Sequence, residues 1–308
     1  MTIPTLPTRL WTYQSERFPL LKHGVLILVF SGGEAVFGAL ARGVTPDWKA
    51  VAVAAVVCLL LFAQLRIADE HKDNEDDCRW RPERPVPRGL ISLSELRFIG
   101  ILAAAIQIAV TVLLDAHLLP LLLLVWSWMA LMSVEFFVPT WLKARPVLYL
   151  LSHMAVMPLI ALFAVACGAR GDVLINPAVG AFLGLAFLNG VVLEIARKSW
   201  APGDEREGVE TYSRLWGVRL SATVTAVAGL GSAALALTIQ SLLGFDWPFQ
   251  LIVLCAAGVL ATAAFAYGRD ATSRRSSWLE TASGLFVLLI YLGVAWLPAG
   301  WRLWGISA

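Results

Sequence analysis

The chain has 308 residues, a mean hydropathy of +0.73, 58% hydrophobic and 15% charged residues, and a formal net charge of +2. Soluble domains carry about 25% charge, so the composition excludes an ordinary soluble domain and indicates a membrane protein with no nucleic-acid partner. Cys58, Cys78, Cys167 and Cys255 lie far apart with no CxxC pair, which argues against a disulfide framework or a zinc site and for small apolar fillers.

A spanning helix needs about 20 mostly apolar residues. Nine runs meet this, at about 21–42, 48–66, 95–115, 117–138, 146–168, 173–195, 215–240, 247–267 and 277–298. Backbone polar groups in lipid must be satisfied within the segment, so the runs are predicted as helices. Asp115–His117 separates the third and fourth as a tight hairpin. With the N-terminus placed inside, all of the 24 Lys and Arg except Arg42, Lys49, Arg170 and Arg302 fall on the inner side. This supports nine spans with the active face toward the cytoplasm, and a bacterial inner membrane is the expected location. The two long polar loops, 67–94 and 196–214, share that face.

The first loop opens on Arg66-Ile-Ala-Asp69-Glu70-His71-Lys72-Asp73, and Asp77 follows. Asp69, Asp73 and Asp77 recur every four residues, so a continuing helix puts them on one face. Stacked like charges repel unless a divalent cation sits among them, and hard oxygen ligands suit Mg²⁺. The plainer reading is a solvated acidic loop. In the second loop, Glu194 sits at the inner end of an apolar run and is followed by Arg197, Lys198, Asp204 and Glu205. Glu194, Asp204 and Glu205 are candidate ligands of a second metal, and Arg197 and Lys198 are candidate phosphate donors. The alternative is a basic membrane anchor followed by an acidic helix start. A third segment, Glu135-Phe-Phe-Val-Pro-Thr-Trp-Leu-Lys143-Ala-Arg145, offers two cations to clamp a diphosphate and aromatics to line a channel, or else an interfacial belt.

Two membrane residues stand apart. Glu34 is an acid in mid-span, expected to line a cavity, pair with His153 or contact an acceptor. His153 reads first as a satisfied core histidine and second as a base. Trp126, Trp128, Phe136 and Phe137 are candidates to shield a carbocation through their π faces. Gly229-x-Gly231 and Gly180-xxx-Gly184 lie inside apolar helices and are read as packing sites rather than nucleotide loops.

Asp69-Glu70-x-x-Asp73-x-x-x-Asp77 followed by Arg84-Pro85-Val86-Pro87-Arg88-Gly89, and Asp204-x-x-x-Gly208-x-x-Thr211, resemble the two motifs of the UbiA-type intramembrane prenyltransferase superfamily. Asp69 and Glu70 stand where that family has Asn-Asp, and Trp200 replaces an aspartate usual in the second loop. The resemblance implies one all-α domain over 1–308, with nine transmembrane helices bundled around a central cavity open to the cytoplasm and to lipid. It implies that Mg²⁺ on Asp69, Asp73, Asp77 and Asp204 binds an isoprenoid diphosphate. Arg66, Lys72, Lys143, Arg145, Arg197 and Lys198 would add donors. The expected reaction is transfer of the prenyl group to an aromatic or other hydrophobic lipid acceptor. A terpene cyclase that captures the cation internally and a non-catalytic transporter of a phosphorylated lipid or an ion are the alternatives.

Overall fold

The computed structural model describes residues 5–170 and 176–303. Its helices are α1 (Leu6–Arg17), α2 (Val25–Ala41), α3 (Trp48–Lys72), α4 (Asn74–Trp80), α5 (Leu93–Leu114), α6 (Leu119–Ser133), α7 (Pro139–Lys143), α8 (Pro146–Met154), α9 (Val156–Gly168), α10 (Pro177–Arg197), α11 (Tyr212–Trp216), α12 (Val218–Leu242), α13 (Trp247–Arg269), α14 (Ser273–Tyr291) and α15 (Leu297–Leu303). No strand occurs among the described residues. Among the described residues, eight helical segments are long and apolar enough to cross a membrane, and α2 is a shorter apolar helix beside them. The predicted start of the sixth span, 173–175, lies outside the described residues.

The ends and breaks of these helices have local causes. Asp47, Ser92, Asn176, Thr211 and Thr272 cap α3, α5, α10, α11 and α14 by accepting a backbone N–H, and Ser92 with Glu95 forms a capping box. Asp115 accepts from the His117 N–H at 2.9 Å and closes the predicted hairpin. The fifth span breaks between α8 and α9 because Pro158 has no N–H to give the Met154 carbonyl. Pro298 acts in the same way after α14, where Leu292–Trp296 widens into a π-turn. Gln240 Nε2 donates to the Gly293 carbonyl in that turn, at 3.0 Å.

Helix α2 is buried from Phe30 to Leu40 and packs on α3, α9 and α14. Lipid tails are as apolar as leucine, so association relies on close packing rather than on the hydrophobic effect. Gly38 lies against the Val165 carbonyl and Gly168 against that of Ala35, so that a Cβ at either would collide with backbone. Phe37 stacks on Phe182 of α10 at 3.9 Å between ring centroids. Gly229, Gly231 and Gly184 likewise face Leu260, Leu188 and Leu235 across helix contacts, as the packing reading requires, whereas Gly180 faces open space.

Candidate active site

The first acidic motif lies where α3 passes into α4. The second span runs six residues beyond its predicted end, and the hydrogen bonds Asp73 N–H to Asp69 O and Asp77 N–H to Asp73 O carry the helical path across the break. Asp69 and Asp73 therefore stay one turn apart. The Asp69 side chain is 48% exposed and has Arg66 Nη1 at 3.7 Å. Asp73 is partly buried. Burial, and then the neighbouring Asp69 carboxylate, hold its carboxyl above the ordinary range.

Asp77 and Glu70 are engaged differently. Asp77 is buried, and Arg84 Nη1 donates to both its oxygens at 2.9 and 2.7 Å. Arg81 Nε is 2.9 Å from Oδ1 and Arg17 Nη2 is 3.9 Å from Oδ2. Arg84 is thus the anchor of the Arg-Pro tail that follows the motif. Glu70, also buried, accepts from Arg17 Nε at 2.6 Å and lies 3.2 Å from Arg66 Nε. Helix α1 is strapped to this region by Arg17 and by the pairs Arg88–Glu16 and Arg9–Glu95, both at 2.7 Å. None of these links was visible in the sequence, because they join α1 to residues more than 50 positions away.

The second loop is held as a compact turn. Glu194 binds both following cations, Arg197 Nη2 at 2.5 Å and Lys198 Nζ at 3.0 Å. Glu205 accepts from the Thr211 and Ser213 hydroxyls at 2.7 Å. Tyr212 N–H closes on the Lys198 carbonyl, and Tyr267 donates to that of Trp200. Asp204 lies exposed at the loop tip. Burial, then the Glu194 carboxylate, push the Tyr212 phenol up, so it remains a donor. Gly208, with φ +70°, lets the Trp80 ring of α4 lie on its backbone; a Cβ there would strike the ring. The two loops therefore touch.

A third cluster adjoins the first motif. Lys72 Nζ donates to Tyr149 Oη at 2.9 Å and lies 3.2 Å from Glu135 Oε1. Tyr149 donates to the same Glu135 oxygen at 3.2 Å and stacks on His153 at 3.9 Å. The fourth span ends at Ser133, earlier than predicted, and Val138 is kept out of helix by Pro139. Between them Glu135, Phe136 and Phe137 have φ of 49°, 53° and 60°. A left-handed conformation costs a non-glycine residue roughly 1–2 kcal/mol, and such strain collects at functional sites. Here it turns Glu135 inward and sets Phe136 against Trp128 and His153, at 5.4 and 6.0 Å. Phe137 points outward, 76% exposed. Trp126 is spent on Gln107.

Other candidates lie apart. Lys143 and Arg145 are exposed, and Arg145 is turned back on Trp141, donating to its carbonyl at 2.9 Å. Glu34 accepts from Tyr291 at 3.2 Å, and it is Glu135 rather than Glu34 that faces His153. An acid beside Phe-Phe at the end of an apolar run was the sequence signal for Glu135; Tyr149 gave none.

No group of three His, Cys, Asp or Glu converges as a metal cage among the described residues. Mg²⁺ commonly takes one or two carboxylates and completes its shell with water and substrate phosphate. The donor pair Asp69 and Asp73 fits that habit. Asp77, Glu194 and Glu205 are meanwhile occupied by cations or hydroxyls.

Residues 25–290 match the model of the UbiA prenyltransferase family. The digeranylgeranylglyceryl phosphate synthase of Methanopyrus kandleri is 30% identical over 235 residues, 74% of this chain and 80% of that protein. The fold also matches two solved structures. One is the apo structure of a UbiA homologue from Aeropyrum pernix K1, with TM-score 0.63, 17% identity, and 87% of this chain and 96% of that one covered. The other comes from work on digeranylgeranylglyceryl phosphate synthase in membranes, with TM-score 0.61, 14% identity, and 93% and 97% covered. The chain belongs to the UbiA prenyltransferase family and is an intramembrane prenyltransferase.

Proposed function

We propose that this enzyme ionises an isoprenoid diphosphate with Mg²⁺ and transfers the prenyl group to a hydroxyl of a lipid acceptor. The observation that supports this most is the meeting of the two loops. Asp69 lies 3.7 Å from Arg66, Asp73 directly follows Lys72, and Trp80 of the first loop seats on Gly208 of the second. Asp69 and Asp73 would hold the metal, with Asp204 as a further ligand. Bound there, Mg²⁺ supplies Lewis-acid neutralisation of the leaving diphosphate. Arg66, Lys72, Arg197 and Lys198 supply charge-assisted hydrogen bonds to phosphate oxygens. Asp77 and Glu70 fix the shape of the first motif through arginines. Trp128 and Phe136 present aromatic faces to the forming allylic cation. The Lys and Arg distribution supports a cytoplasmic orientation of this face in a cell membrane, with 1–308 working as one domain.

The relative that makes digeranylgeranylglyceryl phosphate favours a prenylated glyceryl phosphate acceptor over an aromatic ring, and favours transfer over internal cyclisation. The test uses the purified full chain in lipid with C10, C15 and C20 prenyl diphosphates, with and without Mg²⁺, and with or without that acceptor. Mg²⁺-dependent ether formation supports the reading. A cyclic hydrocarbon released without acceptor establishes a cyclase instead. Turnover unaffected by Asp73→Ala refutes the metal assignment in either case.

A further inference from the structure

Glu135 and His153 are both more than nine-tenths buried, at 5% and 8% exposure. His153 Nδ1 lies 2.9 Å from the Tyr149 carbonyl. A carbonyl can only accept, so Nδ1 carries the proton in the neutral ring and Nε2 presents its lone pair. That lone pair faces Glu135 Oε2 at 3.8 Å. Neither atom has a hydrogen-bond partner. Two buried acceptors thus face each other across a gap that wants one proton donor, and a buried acceptor without a partner calls for an explanation. The polar groups that touch them are Lys72 from α3 and Tyr149 from α8. Lys72 and Tyr149 both serve Glu135 Oε1, which leaves Oε2 for the gap.

We propose that His153 Nε2 and Glu135 Oε2 form the docking point and proton acceptor for the hydroxyl of the acceptor substrate. The inference rests on the transfer reading above. Water is too weak a proton acceptor to be relied on in an apolar chamber, and an ether cannot form from an alcohol without losing its proton. The C1–O bond of the donor breaks and its electron pair leaves with diphosphate. A lone pair of the acceptor oxygen forms the new bond to C1. The hydroxyl proton passes to His153 Nε2, and the imidazolium is held by the Glu135 carboxylate until the proton leaves with product. Tyr149 fixes the tautomer through its carbonyl, and the left-handed turn at 135–137 holds Glu135 in place. Lys72, which precedes Asp73 in the chain, connects the site to the first motif through Tyr149 and Glu135.

The test compares wild type with His153→Gln and Glu135→Gln in lipid, with Mg²⁺, a C20 prenyl diphosphate and a prenylated glyceryl phosphate acceptor. Diphosphate, ether and free prenyl alcohol are quantified separately, and an unfolding titration checks that each variant is folded. General-base catalysis contributes about 10²–10⁴-fold. Both variants are expected to lose ether formation by roughly 100-fold or more. His153→Gln should keep the donor KM, and the diphosphate both variants release should appear with prenyl alcohol rather than ether. A phenolic acceptor, which gives up its proton at about pH 10, should lose much less. A folded variant whose ether-to-alcohol ratio equals that of wild type refutes the dyad. So does a loss of ether matched by an equal loss of diphosphate release. A wild-type chain that makes no ether from any hydroxyl acceptor fails the transfer reading itself, and the dyad's role falls with it.

Discussion

Replacing Asp77 separates two ways of using an aspartate in the first motif. Asp77 is buried against Arg84, Arg81 and Arg17, with separations of 2.7, 2.9 and 3.9 Å. Arg17 has a second carboxylate, Glu70, at 2.6 Å, but Arg81 and Arg84 are given no other carboxylate partner among the described residues. Removing one side of a buried pair costs about 3–5 kcal/mol, because the remaining charge is stranded. Asp77→Ala should therefore destabilise the chain by about that amount. Arg84→Ala removes two short charged hydrogen bonds and leaves Asp77 two cations, so about 1.5–3 kcal/mol is expected. The double variant should cost less than the two losses added, since both single variants remove the same Arg84–Asp77 bonds. Denaturant titrations in detergent measure all three, and Mg²⁺-dependent diphosphate release is followed in the folded protein. An Asp77→Ala protein with wild-type stability but a lost Mg²⁺ response would refute this reasoning and make Asp77 a metal ligand.

The other predictions are shorter. Asp73→Asn should lower diphosphate release by at least about 100-fold with little loss of stability, since Asp73 is only partly buried and among the described residues no arginine clamps it as Arg84 clamps Asp77; parallel activity and unfolding measurements check it. Gly168→Ala drives a methyl into the Ala35 carbonyl and should cost about 1–3 kcal/mol in the same titration. Glu34→Gln keeps the oxygen that accepts from Tyr291 and should leave stability and turnover unchanged, whereas Tyr291→Phe should cost about 1 kcal/mol. Gly208→Val strains a φ of +70° and expels the Trp80 ring; it should reduce turnover with every donor tested, without altering Asp73-type metal dependence.

The helical architecture was legible because lipid enforces it: a run of 20 apolar residues has few other ways to satisfy its backbone. The breaks were less legible. Pro158 and Pro298 mark two of them, but whether a proline produces a kink or a π-turn depends on the neighbouring helix, as with Gln240 reaching Gly293. The end of the fourth span was misjudged by five residues, since hydropathy sees Phe136, Phe137 and Val138 as membrane and is blind to φ. The acidic positions themselves were plain from the apolar runs they interrupt. Their partners were not. A spacing of four tells which face an aspartate occupies and nothing about what lies opposite, so Asp69 and Asp77 look alike in the sequence.

That difference has a physical logic. Asp69 and Asp73 sit one turn apart at the edge of a low-dielectric bundle, where like charges repel strongly and the α3–α4 break offers an easy way to separate. Asp77, one turn further on, is clamped by Arg84 and Arg81, and Glu70 on the preceding turn is clamped by Arg17 and Arg66. Glu70 and Asp77, the two fully buried acids, thus pin the helix next to Asp69 and Asp73, which are less buried. On the proposed assignment, the repulsion between Asp69 and Asp73 would become attraction on entry of a divalent cation. Residues that never touch the metal would then set its affinity, and the Asp77→Ala and Asp73→Asn variants should fail in different assays.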